Sequence, residues 1–319
     1  MQRYPKVTKE HVLFTFVLLF VLPILFYFLN FERIFNLDYL NYKQNYDLNW
    51  KQFEYAYSLI ESAFQYYKVD FEMFWFFLLS IEILMVVILY NNRYLFVLAI
   101  PNLLYLSQGL LGTQVRFGVA VLFSLVIFKC FFRKNIYYLL APIGILFHNG
   151  VLVFVFLAFY LKILLRHQHS VFLRRNFYWV LISALLFVSI SFLVGYILSS
   201  LGYGYYVGTK YQEGRSMSAM LYLICSLSFL LVSVSTRRLK SRYSEFVYLG
   251  LLMIIFSLAF NQSSVISGRY SLVYMLIEPF VIYSFFITYC TNNSRFYLSV
   301  FLIFLMFSCS KLFSLNLIF

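Results

Sequence analysis

Phe71-Glu72-Met73-Phe74-Trp75-Phe76-Phe77-Leu78-Leu79-Ser80-Ile81-Glu82-Ile83-Leu84-Met85-Val86-Val87-Ile88-Leu89-Tyr90 runs for twenty residues with two carboxylates and one serine among otherwise apolar or aromatic side chains. A helix of that length reaches across the ~30 Å hydrocarbon core of a bilayer, and no Pro or Gly interrupts it. Comparable runs fall near 12–29, 94–110, 117–132, 136–148, 149–165, 177–198, 219–236, 244–260, 270–289 and 296–314. The chain therefore reads as an all-α, polytopic integral membrane protein with about eleven (10–12) transmembrane helices. Composition agrees: 63 % of the 319 residues are hydrophobic, 12 % are charged, and the mean hydropathy is +0.82. A soluble globule cannot bury that much apolar surface, which sets aside most soluble enzyme folds.

The run at 12–29 follows Arg3, Lys6 and Lys9, the way a signal peptide begins. Phe26-Tyr27-Phe28-Leu29-Asn30-Phe31 offers no small-residue cleavage site, so the run reads as an uncleaved anchor. The net charge of +13 sits in short clusters between apolar runs, a pattern of membrane orientation rather than of nucleic-acid binding. With the N-terminus in the cytoplasm, sixteen of the 25 Lys and Arg fall on the inner side, opposed there only by Glu10 and Glu245. That is the asymmetry the positive-inside rule expects.

Residues 1–319 read as a single integral membrane domain with two longer outer segments. Segment 30–70 is acidic and Tyr-rich, and Phe53, Tyr57, Ile60, Phe64 and Tyr67 recur at helical spacing, which predicts an amphipathic helix on the outer leaflet. Segment 199–217 is rich in Gly and Tyr and reads as a loop.

Three arginines call for explanation. Arg116, Arg215 and Arg269 each lie on the outer side, within a few residues of the start of an inward-running span. A single one commonly snorkels to lipid phosphates. Three near one plane, on the side where cations are depleted, point to a shared anionic ligand. Gln114-Val115-Arg116-Phe117-Gly118 and Ser267-Gly268-Arg269-Tyr270-Ser271 both put an Arg-aromatic pair at the first turn of a span. Free N–H groups and the positive dipole end lie there, and a guanidinium adds charge and paired donors, so the expected guest is a phosphate or diphosphate. His148, in Leu146-Phe147-His148-Asn149-Gly150, returns to the same level. A lone His at a helix end is usually an interfacial residue; beside a phosphate clamp its imidazole can orient or deprotonate an attacking hydroxyl.

Glu82 and Glu278 lie well inside spans, where a carboxylate must face the bundle interior, and they define the competing transporter reading. For Glu278, a hydrogen-bonded carboxyl beside a Pro279 kink serves equally well. Cys130, Cys225, Cys290 and Cys309 match neither a disulfide framework nor a zinc motif and read as buried small hydrophobes. No Walker loop, dinucleotide fingerprint or H-E-x-x-H is present, and Asp70-Phe71-Glu72 points its carboxylates to different helix faces, so no metal ligand or cofactor is expected.

The residues resemble the EpsG-like branch of the Wzy-type polysaccharide polymerases. The likeness runs from Asp38-Tyr39 with Tyr42, through Glu54-Tyr55-Ala56-Tyr57 and Gln114-Val115-Arg116-Phe117-Gly118, to Phe147-His148-Asn149 and Gly268-Arg269-Tyr270, in the family's order over roughly 38–275. It departs where Tyr55-Ala56 replaces an expected Gly and where Phe117 replaces a commonly polar residue. The resemblance implies a glycosyltransferase of the bacterial inner membrane. It would move a growing glycan from undecaprenyl diphosphate to a sugar hydroxyl on an incoming lipid-linked repeat unit, at the periplasmic face, with a chain-length regulator as partner. On that reading Arg116, Arg269 and then Arg215 clamp the diphosphate. His148 orients or deprotonates the hydroxyl, with Asp38 and Glu54 as rivals, and Tyr39, Tyr42, Gln114, Asn149 and Tyr270 contact substrate. A lipid-linked oligosaccharide flippase and an O-antigen ligase remain the alternatives.

Overall fold

The computed structural model describes residues 37–107, 109–166, 183–193, 196, 216–235, 243–261, 263–290 and 295–311. The expected anchor at 12–29 and nearly all of the loop 199–217, Arg215 included, lie outside them. The described elements are α1 (Leu37–Leu48), α2 (Tyr55–Tyr66), α3 (Phe71–Leu89), α4 (Arg93–Ser107), α5 (Val115–Phe131), α6 (Tyr137–Leu140), α7 (Leu152–Arg166), α8 (Ser183–Leu193), α9 (Met217–Ser235), α10 (Ser244–Ala259), α11 (Ser264–Tyr289) and α12 (Arg295–Cys309). Two 3-10 segments, Ala141–Leu146 and Asn149–Val151, join them, and no strand occurs among the described residues. Among the described residues, three helices can cross a membrane by length and composition, Phe71–Leu89, Met217–Val234 and Val265–Tyr289, and shorter apolar helices accompany them. The chain divides into two compact units, Met1–Phe96 with Leu103–Val155, and Val97–Asn102 with Phe156–Phe319.

In the first unit α3 packs along α5. Asp70 caps the start of α3, its side chain accepting from the Met73 N–H at 2.8 Å. Lys129, from the last turn of α5, closes the other end by donating to the carbonyls of Ile88 and Leu89 (2.7 and 2.8 Å) and to Asn91 Oδ1 (2.7 Å). An ammonium there meets the orphan carbonyls and negative dipole end of α3. Gly118 lets the two helices approach closely: a Cβ at that position would lie 2.1 Å from Glu82 Oε1 and 3.0 Å from the Leu110 carbonyl oxygen. Glu82 is fully buried and neither carboxyl oxygen has a hydrogen-bond partner among the described residues.

The expected span at 136–148 is not a continuous α-helix. Its α turn ends at Leu140, and Pro142, which has no N–H to donate, lies in the six-residue 3-10 run that follows. The run returns along α5: Tyr137 meets Phe128 and Phe132, Gly144 meets Ser124, and His148 meets Phe117. At about 2.0 Å per residue, against about 1.5 Å in an α-helix, a 3-10 run covers the length with fewer residues. Gly144 is needed for this path, since a Cβ there would sit 2.3 Å from Ser124 Oγ.

The amphipathic helix expected in 30–70 forms as α2, but its apolar face meets protein. Tyr57, with Phe53, Ile60 and Phe64, packs into an aromatic cluster with Tyr39, Tyr42, Tyr46, Phe71, Phe74 and Trp75 from α1 and α3. Tyr67 stays exposed. Burial among edge-to-face rings is better than a lipid surface for side chains that carry hydroxyls.

In the second unit α10 and α11 form a helical hairpin. Ser257 Oγ donates to the Ser267 carbonyl (2.7 Å) and Ser267 Oγ to the Ser257 carbonyl (2.6 Å), while Phe246 stacks on Phe280. Small residues with reciprocal hydrogen bonds suit helices that pack without a hydrophobic drive between them. Glu278 is ion-paired with Lys311, and both engage Asn102, which donates to Glu278 Oε2 at 2.6 Å and accepts from Lys311 at 2.6 Å. The expected hydrogen-bonded Glu278 is thus present, with an ion-pair partner that periodicity did not suggest. The cysteines differ from expectation: Cys130 is exposed and the other three are half-buried, all with free thiols.

Candidate functional site

Arg116 occupies the first turn of α5, behind Gln114 at the N-cap, as the sequence predicts. Its guanidinium sits among three rings, with Cζ 3.8 Å from the Phe53 centroid, 5.3 Å from Tyr42 and 5.7 Å from Tyr57. Arg116 Nε donates to the Tyr42 hydroxyl at 3.4 Å, and Nη1 is ion-paired with Glu54 Oε2. The π-faces stabilise the cation, and the aromatic walls exclude water from one side of it. The two paired side chains are 15 % and 16 % exposed, so the pair is neither a screened surface contact nor fully sealed.

Glu54 is the N-cap residue of α2 but makes no side-chain cap. Its carboxylate reaches outward instead, Oε2 to Arg116 and Oε1 accepting from the Asn149 N–H at 3.3 Å. The 3-10 return along α5 therefore ends where it can close this cluster. His148 stands there in extended backbone, and its Nδ1 accepts from the Gly150 N–H at 2.8 Å. With Nδ1 accepting, a neutral imidazole carries its proton on Nε2, which makes the ring a donor on its other side.

Of the residues singled out from the sequence, the first unit brings Tyr42, Glu54, Arg116, His148 and Asn149 to one end of α5. Gln114 is beside them, its Oε1 buried and without a hydrogen-bond partner among the described residues. Tyr39 donates to Glu72 and packs against Trp75, and Asp38 is exposed in the first turn of α1, where its charge acts on Tyr42. Burial pushes the Tyr42 phenol up, against the lowering pull of Arg116. It therefore stays a neutral phenol, able to donate its proton.

Arg269 and Tyr270 belong to the second unit. There α11 begins at Ser264, capped by Ser263, so Arg269 lies in the second turn rather than the first. Tyr270 is buried edge-on against Phe256 at 4.9 Å. The early start follows from Ser263, a good N-cap that the apolar pattern alone passes over.

Two features went unread. Phe53 and Tyr57 look like members of an apolar stripe, yet they form the walls around Arg116. Glu61 is buried, with both carboxyl oxygens accepting from Asn45 Nδ2 at 2.8 and 3.0 Å. Burial raises its pKa, opposed by the Asn45 hydrogen bonds and by the charges of Arg116 and Lys51. Its signal was present: position 61 follows Tyr57 by one turn on the face that α2 buries.

Among known families, the model of the EpsG family matches residues 13–317. No curated protein and no solved structure matches the chain.

Proposed function

The chain belongs to the EpsG family, which is associated with polysaccharide polymerisation, and on that premise we propose that it is a membrane glycosyltransferase that polymerises lipid-linked repeat units. The donor is a glycan on undecaprenyl diphosphate and the acceptor a sugar hydroxyl of an incoming lipid-linked unit, at the periplasmic face of the bacterial inner membrane. The observation that carries the reading is the Arg116 guanidinium, held in the first turn of α5 among Phe53, Tyr42 and Tyr57 and bonded to a carboxylate and a phenol, with the His148 imidazole packed on the neighbouring Phe117.

In the reaction the acceptor oxygen attacks the anomeric carbon and the bond from that carbon to the diphosphate oxygen breaks. The leaving diphosphate gains negative charge as it departs. A guanidinium fixed in a partly dry site stabilises that charge more than one free in water, and it lowers the barrier because the interaction strengthens in the transition state. The acceptor hydroxyl must lose its proton, and Glu54 is the carboxylate nearest Arg116. His148, with Nε2 protonated, suits orientation of the hydroxyl or of a phosphate oxygen. Arg269, in the second unit, and Arg215, outside the described residues, are further candidate phosphate ligands. The Tyr-rich α1–α2 region suits pyranose rings, which meet aromatic faces and phenol hydroxyls.

A lipid-linked oligosaccharide flippase would draw on carboxylates inside the bundle, but Glu278 is already held by Lys311 and Asn102. An O-antigen ligase would use the same clamp and differ in its acceptor. The test is the banding of surface polysaccharide from cells lacking the gene and carrying the intact protein, Arg116→Ala, Arg269→Ala or His148→Ala at equal membrane levels. The intact protein restores a ladder, and the arginine variants leave a single-repeat band. Loss of even that band in the null strain contradicts polymerisation and indicates a block in transport or ligation.

A further inference from the structure

The Arg116 cage already holds an anion, and that anion belongs to the protein. Glu54 Oε2 occupies Nη1 of the guanidinium, and the aromatic rings cover one side of the same group. An incoming diphosphate must compete for Arg116 with a carboxylate that is already in place and largely desolvated. Glu54 is itself lightly held: besides Arg116 it has one backbone partner, the Asn149 N–H at 3.3 Å, and it makes no cap to its own helix. Its backbone lies at the junction before α2, at φ −62° and ψ 155°, so side-chain rotation alone can move the carboxylate without unwinding a helix turn. Two polar atoms in this neighbourhood, the Tyr57 hydroxyl and Gln114 Oε1, are buried without a partner among the described residues. A guest with both acceptor oxygens and hydroxyl groups can satisfy them.

We propose that Glu54 is an internal stand-in for the donor's diphosphate: a prenyl diphosphate displaces it from Arg116, and the released carboxylate takes the proton of the acceptor hydroxyl. The inference rests on the polymerase reading and adds an order of events to it. Before a donor binds, Glu54 Oε2 is taken up by Arg116 and is not offered to an acceptor hydroxyl, and Arg116 does not stand as an unpaired charge at the membrane surface. Once the diphosphate binds Arg116, Glu54 Oε2 is released from the guanidinium and is free to accept from the acceptor hydroxyl. The proton passes from the acceptor hydroxyl to Glu54, the new bond forms from that oxygen to the anomeric carbon, and undecaprenyl diphosphate leaves with the electron pair of the broken bond. When the product diphosphate departs, protonated Glu54 gives its proton to solvent and returns to Arg116. The carboxylate is thereby activated only when a donor is in place, which limits wasteful attack by water.

The probe is farnesyl diphosphate, a short prenyl diphosphate, titrated into the purified full-length protein in detergent. The proteins compared are the intact chain, Glu54→Gln, Arg116→Gln and the double variant, each first checked for an unchanged melting temperature. The amide keeps the size of Glu54 but removes the competing charge, so Glu54→Gln is expected to bind the probe about tenfold more tightly than the intact protein. Polymer formation by Glu54→Gln is expected to collapse, and adding Arg116→Gln abolishes the tightened binding. Tightened binding together with lost polymerisation supports the exchange. Equal or weaker binding by folded Glu54→Gln, with Arg116→Gln still abolishing binding, overturns the exchange and leaves Arg116 as a diphosphate ligand. Tight binding with full polymerisation overturns the role of Glu54 as base. Absence of saturable binding by the folded intact protein and Glu54→Gln alike overturns the exchange and the diphosphate clamp together.

Discussion

Arg116 is the residue on which the candidate site turns, and its neighbourhood shows how single positions constrain α5. Two residues later Gly118 admits the carboxyl of Glu82 where any other residue would place its Cβ. Gly118→Ala must push a buried side chain aside against the Leu110 carbonyl, and the expected cost is about 1–3 kcal/mol. In a Glu82→Ala background the clash with the carboxyl is gone and only the close approach to the Leu110 carbonyl remains, so the same substitution costs less, a difference that a double-mutant cycle of melting temperatures detects. Glu61 gives a second residue-scale prediction. Its pKa is raised above the ordinary 4.5 by burial, so the folded protein binds more protons than the unfolded chain as pH rises through and above that value. The intact protein should therefore lose stability relative to Glu61→Gln as pH increases from about 4.5, and melting curves across that range show it directly. A constant difference between the two proteins contradicts burial as the cause.

At the scale of elements, α3 and the start of α5 were legible because their signals are local. Asp70 stands three residues before Met73, and an unbroken apolar run follows. The path of 137–151 was legible only in part. Its apolar run and its return to the level of Arg116 could be read, but the change from α to 3-10 depends on Gly144 meeting Ser124, a contact between segments twenty residues apart. The same limit hid the main pairings. Glu54 lies 62 residues from Arg116, and Lys311 lies 209 residues from Asn102, distances over which spacing carries no information. Lys311, near the end of α12, shows what such pairings contribute. Removing one partner by Lys311→Ala leaves Glu278 buried without its counter-ion and should cost about 3–5 kcal/mol, whereas replacing both, with Lys311→Met and Glu278→Leu, should be nearly neutral. Thermal unfolding of the three variants in one detergent distinguishes this from a simple loss of packing, in which the double variant would be at least as unstable as the single one.

For the whole molecule, composition and apolar runs were enough to recognise a helical membrane protein, since a chain 63 % hydrophobic has few other ways to satisfy its backbone. The number of apolar runs exceeds the three helices whose length and composition alone suffice for crossing. Among the described residues the other runs form shorter helices such as α4 and α10 and the 3-10 return beside α5, while the run at 12–29 lies outside them. The candidate site was legible as residue types, an Arg-aromatic pair at a helix start and Phe-His-Asn after a short apolar run, because both are local patterns. Its internal anion was not, because a carboxylate in a polar loop looks solvated until the fold brings it to a guanidinium. The most direct measurement uses the purified protein in lipid nanodiscs, supplied with one undecaprenyl-diphosphate-linked repeat unit, counting glycan length and undecaprenyl diphosphate released. The account predicts polymers longer than one unit, one undecaprenyl diphosphate freed per new glycosidic bond, and loss of both in folded Arg116→Gln. Polymer formed at the intact rate by Arg116→Gln, or a lipid-linked unit left unconsumed by the intact protein, would contradict it.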